Sequence, residues 1–249
     1  MNLELKEKFQ EQWKRFFPGI GLPIVFWYSE NTEGIEKAKT SSGWNCLIGE
    51  LKKVCKGYAV AYDRRTVKCF GAKRYTGFSN QLFPDFRYFL SCGIPGTMEG
   101  ERYKRTPEIV DETMAQYENF DAEGKHIIFK RWDQLLANDT PEVVIFFVRA
   151  EVLSGLFTLA KFDVADPDGG VMTPFAAGCG SIIHYPYMEI NKKNPKAVIG
   201  MFDPSARPYV PVDNFTFALP MKRFEQLISY MDESFLITDS WEKVMKRFS

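Results

Sequence analysis

Apolar residues along the chain recur with two periods, one helical and one strand-like. Leu3, Leu5, Phe9, Trp13, Phe16 and Phe17 follow three- and four-residue steps, which predicts a helix over residues 1–17 that ends at Pro18 and Gly19. The continuous run 23-PIVFWYS-29 predicts a buried strand, and residues 32–39 predict one or two helical turns before a break at Ser41-Ser42-Gly43. From Trp44 to Gly57, Leu47, Ile48, Leu51, Val54 and Cys55 share one helical face. The segments 58-YAVAY-62 and 66-TVKCF-70, joined through Asp63-Arg64-Arg65, predict a hairpin.

Residues 76–106 are rich in Gly, Pro and aromatics, with a short helix predicted near 85–93. Thr106 and Pro107 form an N-cap and first-turn pair for a helix over 107–118. Further strands are predicted at 126–130, 142–148, 196–202 and 215–219, and further helices near 131–137, 150–162, 221–231 and 240–248. The irregular alternation argues an α+β (or α/β) class: a mixed sheet with flanking helices. No linker divides the 249 residues, so a single domain over 1–249 is expected.

The order strand, helical stretch, small-residue break, cysteine, helix, strand and arginine loop occurs twice. Arg74 stands 28 positions after Cys46, and Arg207 stands 28 after Cys179. This predicts pseudo-repeats over 20–95 and 140–220 with connecting helices in 100–137, an internal duplication whose bland alternative is coincidence.

Composition narrows the function classes. The 32 basic and 32 acidic side chains cancel, so no global field attracts nucleic acid or an anionic membrane. No apolar run reaches the roughly 18 residues of a membrane span. A cytoplasmic protein is expected, with Cys46, Cys55, Cys69, Cys92 and Cys179 mostly reduced.

The segment 176-AAGCGSIIHYPY-187 admits two readings. Gly178, Gly180 and Ser181 can present main-chain N–H groups to a low-pKa thiol at Cys179 or to an anion, or they mark a place where backbones approach closely. Neither His126 nor His184 lies in a partner motif for a nucleophilic cysteine. Thiolates at Cys46, Cys69 and Cys179 can converge on a metal or iron–sulfur centre, although no C-x-x-C pair is present. Arg74, in 71-GAKRYTG-77, and Arg207 follow predicted strands, where a guanidinium can grip a carboxylate or phosphate. Asp203 offers Arg207 a carboxylate partner instead. No P-loop or G-x-G-x-x-G fingerprint follows any strand. The acidic turn at Asp163, Asp166 and Asp168 lacks the calcium-loop pattern and reads as a solvated turn.

The run from Cys46 through 67-VKCFGAKRYTGF-78, the strand 141-PEVVIFFV-148, the small-residue cysteine segment and 200-GMFDPSARPYVPVDNFTFALP-220 together resemble the family called domain of unknown function 169. Cys69, Gly71 and Ala72 match its Cys-x-Gly-Ala element, and Ala206 and Arg207 its later arginine element. The resemblance implies a widespread bacterial and archaeal family without an established activity, so it assigns no role to these residues.

Three function classes follow. The first is binding of a small anionic molecule, with or without catalysis, in a pocket between two similar halves. That pocket would use Cys46, Cys69, Gly71, Arg74, Gly178, Cys179, Gly180, Ser181 and Arg207. The second is a metal or iron–sulfur protein, and the third is a structural or interaction module. Cofactor and oligomeric state are not specified by the sequence.

Overall fold

The computed structural model describes residues 1–39, 43 and 45–248. The expected break at Ser41-Ser42 and helix start at Trp44 lie outside the described residues. In chain order the elements are α1 (Leu3–Phe16), β1 (Ile24–Ser29), β2 (Glu36–Lys37), α2 (Leu47–Cys55), β3 (Val60–Asp63), α3 (Phe70–Tyr75), α4 (Phe86–Phe89), β4 (Gly93–Ile94), β5 (Met98–Glu99), α5 (Pro107–Ala115) and β6 (His126–Arg131). There follow β7 (Val143–Val148), α6 (Ala150–Ala160), β8 (Val171–Met172), α7 (Tyr185–Met188), β9 (Ala197–Gly200), β10 (Phe215–Pro220), α8 (Met221–Tyr230) and α9 (Asp239–Met245).

Among the described residues, eight strands form one mixed sheet in the order β2-β3-β6-β1-β7-β10-β9-β8. Alternation along each strand sends side chains to two separate cores. Val25, Trp27, Val144, Phe146, Phe217 and Leu219 pack with α1, α6, α8 and α9 through Phe9, Trp13, Leu156, Phe224 and Trp241. Ile24, Phe26, Val143, Ile145 and Ala218 face the other way, onto Leu47, Ile48, Leu51, Ala72, Cys179, Ile182 and Ile183. Helices cover both faces, which is why β1 and β7 read as unbroken apolar runs. The tryptophans that anchor the first core keep their polar ends paired: Trp132 Nε1 donates to Lys6 O at 3.2 Å and Trp241 Nε1 to Phe16 O at 2.9 Å.

The pairing is symmetric about the antiparallel seam between β1 and β7, where Val25 sits opposite Val144. On one side Ile24 pairs with Arg131; on the other Val143 pairs with Pro220, and the register holds over six residues in each case. The outer strands repeat the pattern, with β3 antiparallel to β6 and β9 antiparallel to β10. Each edge then carries a two-residue parallel strand, β2 on β3 and β8 on β9. The match continues past the strand ends: Trp132 N donates to Pro23 O at 2.9 Å, and Met221 N to Glu142 O at 2.7 Å. The symmetric frame therefore spans 23–132 and 142–221.

The mixed sheet and flanking helices fit the expected α+β class. Three local expectations are corrected. Residues 32–39 hold a turn and the edge strand β2, because Glu36 and Lys37 find parallel partners at Val60 and Ala61. No hairpin joins 58–62 to 66–70; after β3 the chain turns at Asp63, whose Oδ1 accepts from Arg65 N and Thr66 N at 2.8 Å each, and enters α3. The predicted helix near 131–137 is a single 3₁₀ turn, Trp132–Gln134.

Candidate functional site

The second core brings together the starts of three helical segments. Cys46 is the N-cap residue of α2, whose buried stripe Leu47, Ile48, Leu51 and Val54 docks it on the sheet. Cys69 is the N-cap residue of α3. Cys179 lies in the first turn of a helical stretch over 178–188 that winds as a π-turn at Gly180–His184 before α7. Such π-turns recur at functional sites because they re-aim side chains within a helix.

The small residues around Cys179 serve close packing. A Cβ on Gly178 would stand 2.8 Å from Ala206 Cβ and 3.3 Å from Ile48 Cγ1, and one on Gly180 would stand 2.9 Å from Tyr75 Cε1. Gly200 is tighter still, since a Cβ there would meet Ser181 Oγ at 2.0 Å. The Ser181 hydroxyl donates to Gly178 O at 2.9 Å. These contacts press the start of the 178–188 stretch against α2, α3 and the loop after β9.

As a result the three thiols lie within one another's electrostatic reach. Burial pushes the Cys179 thiol well above its ordinary range, and charge on Cys69, Cys46 or Asp203 would raise it further. Burial also raises Cys46, opposed by the amides of Gly49 and Ile48, with Cys69 and Asp203 adding to the rise. The Ile48 amide faces Cys179 as well. Cys46, Cys55, Cys69, Cys92 and Cys179 are all free of disulfides, and Cys55 and Cys92 are exposed. Among the described residues, no three His, Cys, Asp or Glu side chains close around a point tightly enough to grip a single metal ion.

Asp203 completes the cluster. It is buried, and its carboxylate accepts from Gly178 N at 3.3 Å, Ser205 N at 2.9 Å and Ser205 Oγ at 2.8 and 2.9 Å. Met201, two residues earlier, adopts φ +71°, a left-handed conformation that costs on the order of 1 kcal/mol for a side chain of this kind. That bend turns the chain off β9, exposing Phe202 and burying Asp203. A cavity of about 270 Å³ opens beside it, lined by Thr173, Pro174, Phe175, Ala176, Ser181, Gly200, Met201, Phe202 and Asp203.

Neither arginine lines this cavity. Arg207 donates to the main-chain oxygens of Met201, Asn214 and Val212 and lies over the Phe215 ring, so it laces its own loop. The expected Asp203 partner is not used. Arg74 is buried, donates to Asn80 O at 2.8 Å and lies 4.6 Å from the Tyr117 ring centroid. Tyr117 in turn stacks on His184, and its hydroxyl shares a 2.8 Å hydrogen bond with His184 Nδ1. Burial first, and the Arg74 charge second, push His184 down to about 4, so the imidazole is neutral at pH 7.

Residues 23–229 match the family DUF169, described as uncharacterised ArCR. The chain belongs to the DUF169 family. No curated protein and no solved structure matches it. Among the described residues of this DUF169 protein, no helix is long and apolar enough to cross a membrane.

The structure places Cys46, Cys69, Gly178, Cys179, Gly180 and Ser181 of the expected set in one region, with Gly71 adjoining Cys69 on α3. Arg207 holds local carbonyls and lies over Phe215, while Arg74 donates to Asn80 O and lies over Tyr117 with its buried Nε unpaired. Sequence reading did not place Asp203 in the site, nor the Tyr117–His184 pair. One signal was available for Asp203: it precedes the buried Ala206 by three positions, as Cys69 precedes the buried Ala72.

Proposed function

We propose that this DUF169 protein carries an iron–sulfur centre on Cys46, Cys69 and Cys179, with the adjoining cavity as the place where a small molecule reaches it. The observation that carries the reading is that three thiols from three separate elements lie within one another's electrostatic reach, Cys179 buried and Cys46 and Cys69 half-buried. As nucleophiles Cys46 and Cys179 are poorly suited, because burial raises both while the reactive form is the thiolate. A bound metal removes the proton outright and compensates the gathered negative charge. The amides of Ile48 and Gly49 at the sulfurs are contacts of the kind that tune such a centre.

An anionic ligand anchored by Arg74 and Arg207 has less support. The cavity wall contains a carboxylate and no basic side chain. A second reading rests on the cavity alone, in which a small neutral or cationic molecule binds without metal. The repeated strand order and register support an internal duplication in which Cys46 corresponds to Cys179 and Arg74 to Arg207. The continuous sheet supports a single domain, and the unpaired thiols fit a reducing, cytoplasmic setting.

The test is anaerobic purification of the full chain, followed by iron and sulfide analysis and a visible spectrum. The iron–sulfur reading expects broad sulfur-to-iron absorption and about four iron per chain, lost when Cys46, Cys69 and Cys179 are together changed to Ser. A folded, colourless, iron-free chain that also takes up no iron on reconstitution with iron and sulfide removes it. Stabilisation of that metal-free chain by small molecules would then favour the second reading.

A further inference from the structure

Aromatic rings and a buried charge bound the cavity after β9. Phe175 and Phe202 line it and are both exposed, while Asp203 in its wall is buried. The Phe202 ring is steadied by Phe215, with centroids 5.5 Å apart, and Phe175 by an edge-on contact with Tyr103 at 6.3 Å. Two left-handed residues other than glycine aim these groups. Met201, at φ +71°, precedes Phe202 and Asp203; Arg102, at φ +57°, precedes Tyr103 and Lys104. Strained positions of this kind collect at ligand clamps. The segment that carries Tyr103 and Lys104 is strapped to the backbone at the end of α4, through Glu101 N to Phe89 O at 2.7 Å, Arg102 N to Ser91 O at 3.0 Å and Lys104 N to Leu90 O at 3.1 Å.

Resting on the reading of this cavity as a small-molecule site, and independently of iron, we infer that it binds the quaternary ammonium group of a small organic cation. Phe175 and Phe202 are the aromatic walls, and Asp203 is the countercharge. Two features select this class. A carboxylate offers about four acceptor sites, and Gly178 N, Ser205 N and Ser205 Oγ already occupy both oxygens of Asp203. It therefore supplies charge without a free acceptor, which suits a cation that has no N–H to donate. The second feature is that a cation already sits on one of the rings. Lys104 Nζ lies 4.4 Å from the Phe175 ring centroid, inside the roughly 6 Å reach of a cation–π contact. Lys104 thus marks the ring as a cation site and competes for it; the guest takes the place at the ring, and the lysine returns to water.

Other guests meet a specific obstacle. An anion finds no cationic side chain among the lining residues and is repelled by Asp203. A primary ammonium or a metal ion needs carboxylate lone pairs, and those of Asp203 are taken. The negative potential extends to the mouth: burial first, then the charges of Asp203 and Glu101, raise the Tyr103 phenol, whose ring edges Phe175. Pro174 and Met201 complete an apolar lining for the methyl groups, and Thr173 and Ser181 leave hydroxyls for one polar substituent. About 270 Å³ lies below the roughly 300–1,000 Å³ of sites for drug-sized ligands, which points to a cation of modest size.

The experiment titrates tetramethylammonium chloride, and tert-butanol as its uncharged counterpart in shape, into the full chain at constant ionic strength. Binding is read by calorimetry and by the methyl resonance of Met201, assigned with Met201→Leu, in wild type, Phe175→Leu, Asp203→Asn and Lys104→Met. Tetramethylammonium is expected to shift the Met201 signal and to bind about tenfold tighter than tert-butanol. Phe175→Leu and Asp203→Asn should each weaken it by about threefold or more while leaving tert-butanol unchanged, and Lys104→Met should tighten it about twofold or more. Equal affinity for the two probes, a Phe175→Leu chain that binds like wild type, or weaker binding by Lys104→Met overturns the inference while leaving the cavity a small-molecule site. A Met201 signal that neither probe moves overturns both. Iron content, measured separately, decides the iron–sulfur reading in every case. Where Asp203→Asn fails to fold, the exposed Phe175→Leu change decides.

Discussion

The two halves of the sheet share strand order, direction and register, yet they differ wherever a helix or loop meets the thiol cluster. Around β1, the helix after Cys46 is regular and a tyrosine, Tyr62, fills the third position of β3. Around β7, the helix after Cys179 is wound as a π-turn and the matching position of β9 is Gly200, as the pairs Tyr62–Ile127 and Gly200–Thr216 show. The frame is held by main-chain pairing and two apolar faces, which tolerate exchange of side chains. Differences therefore collect in the helical segments and loops after the strands rather than in the sheet.

The largest effect that separates the halves lies at an ion pair. Lys130 sits opposite Val25, while its counterpart opposite Val144 is Leu219. Lys130 Nζ donates to both Asp139 oxygens at 2.8 and 2.9 Å in a buried setting. Asp139→Ala leaves the lysine charge uncompensated and should cost about 3–5 kcal/mol in urea unfolding. The double change Lys130→Leu with Asp139→Leu copies the other half and should recover most of that loss. A double variant no better than the single would show that the halves are not interchangeable there.

The seam itself titrates unequally at its two ends. Glu142 accepts from Tyr28 N at 2.9 Å, whereas the matching position is Pro23. Burial pushes Glu142 up from 4.5 to about 7, so the folded state holds a proton that the unfolded state releases, and stability falls as pH rises from 4.5 to 7. His184 has the opposite sign: with its value pushed down from 6.5 to about 4, stability is lost as pH falls through that window. Glu142→Gln should therefore gain roughly 2–3 kcal/mol relative to wild type between pH 4.5 and pH 7. A difference that stays constant with pH would remove Glu142 from the account.

At Gly200 the comparison can be broken by one methyl group. Gly200→Ala places a Cβ against Ser181 Oγ and Cβ, at 2.0 and 2.2 Å, and should cost about 1–3 kcal/mol. Ser181→Gly in the same chain should relieve most of it. Independent, additive costs would mean that the π-turn does not depend on the missing side chain.

The smallest effect concerns the loop arginines. Arg207→Lys keeps the charge but cannot hold three carbonyls in one plane, and should cost about 1 kcal/mol with faster hydrogen exchange confined to 201–214. Unchanged exchange in that loop would reopen a ligand role for the residue.

Much of this frame was legible from residue order. The runs Ile24–Ser29 and Val143–Val148 announced central strands, and these two strands form the middle seam of the sheet. The edge strands β2 and β8 were not legible, since two-residue parallel pairings are set by tertiary neighbours and leave no period. Alternation in 66-TVKCF-70 imitated a strand because Thr66 and Val67 are buried against the same core that receives α3. Nothing in GCGSIIHYPY signals a π-turn. The place of Asp203 stayed hidden because a carboxylate after a strand is common, and only the fold shows that this one faces Gly178.

The most direct test of the central claim is the iron and acid-labile sulfide content of the full chain after anaerobic reconstitution, beside the Cys46→Ser, Cys69→Ser and Cys179→Ser triple variant. The account predicts about four iron and four sulfide per wild-type chain, with the variant folded and nearly iron-free. A wild-type chain that remains folded and binds no more iron than the variant would contradict it.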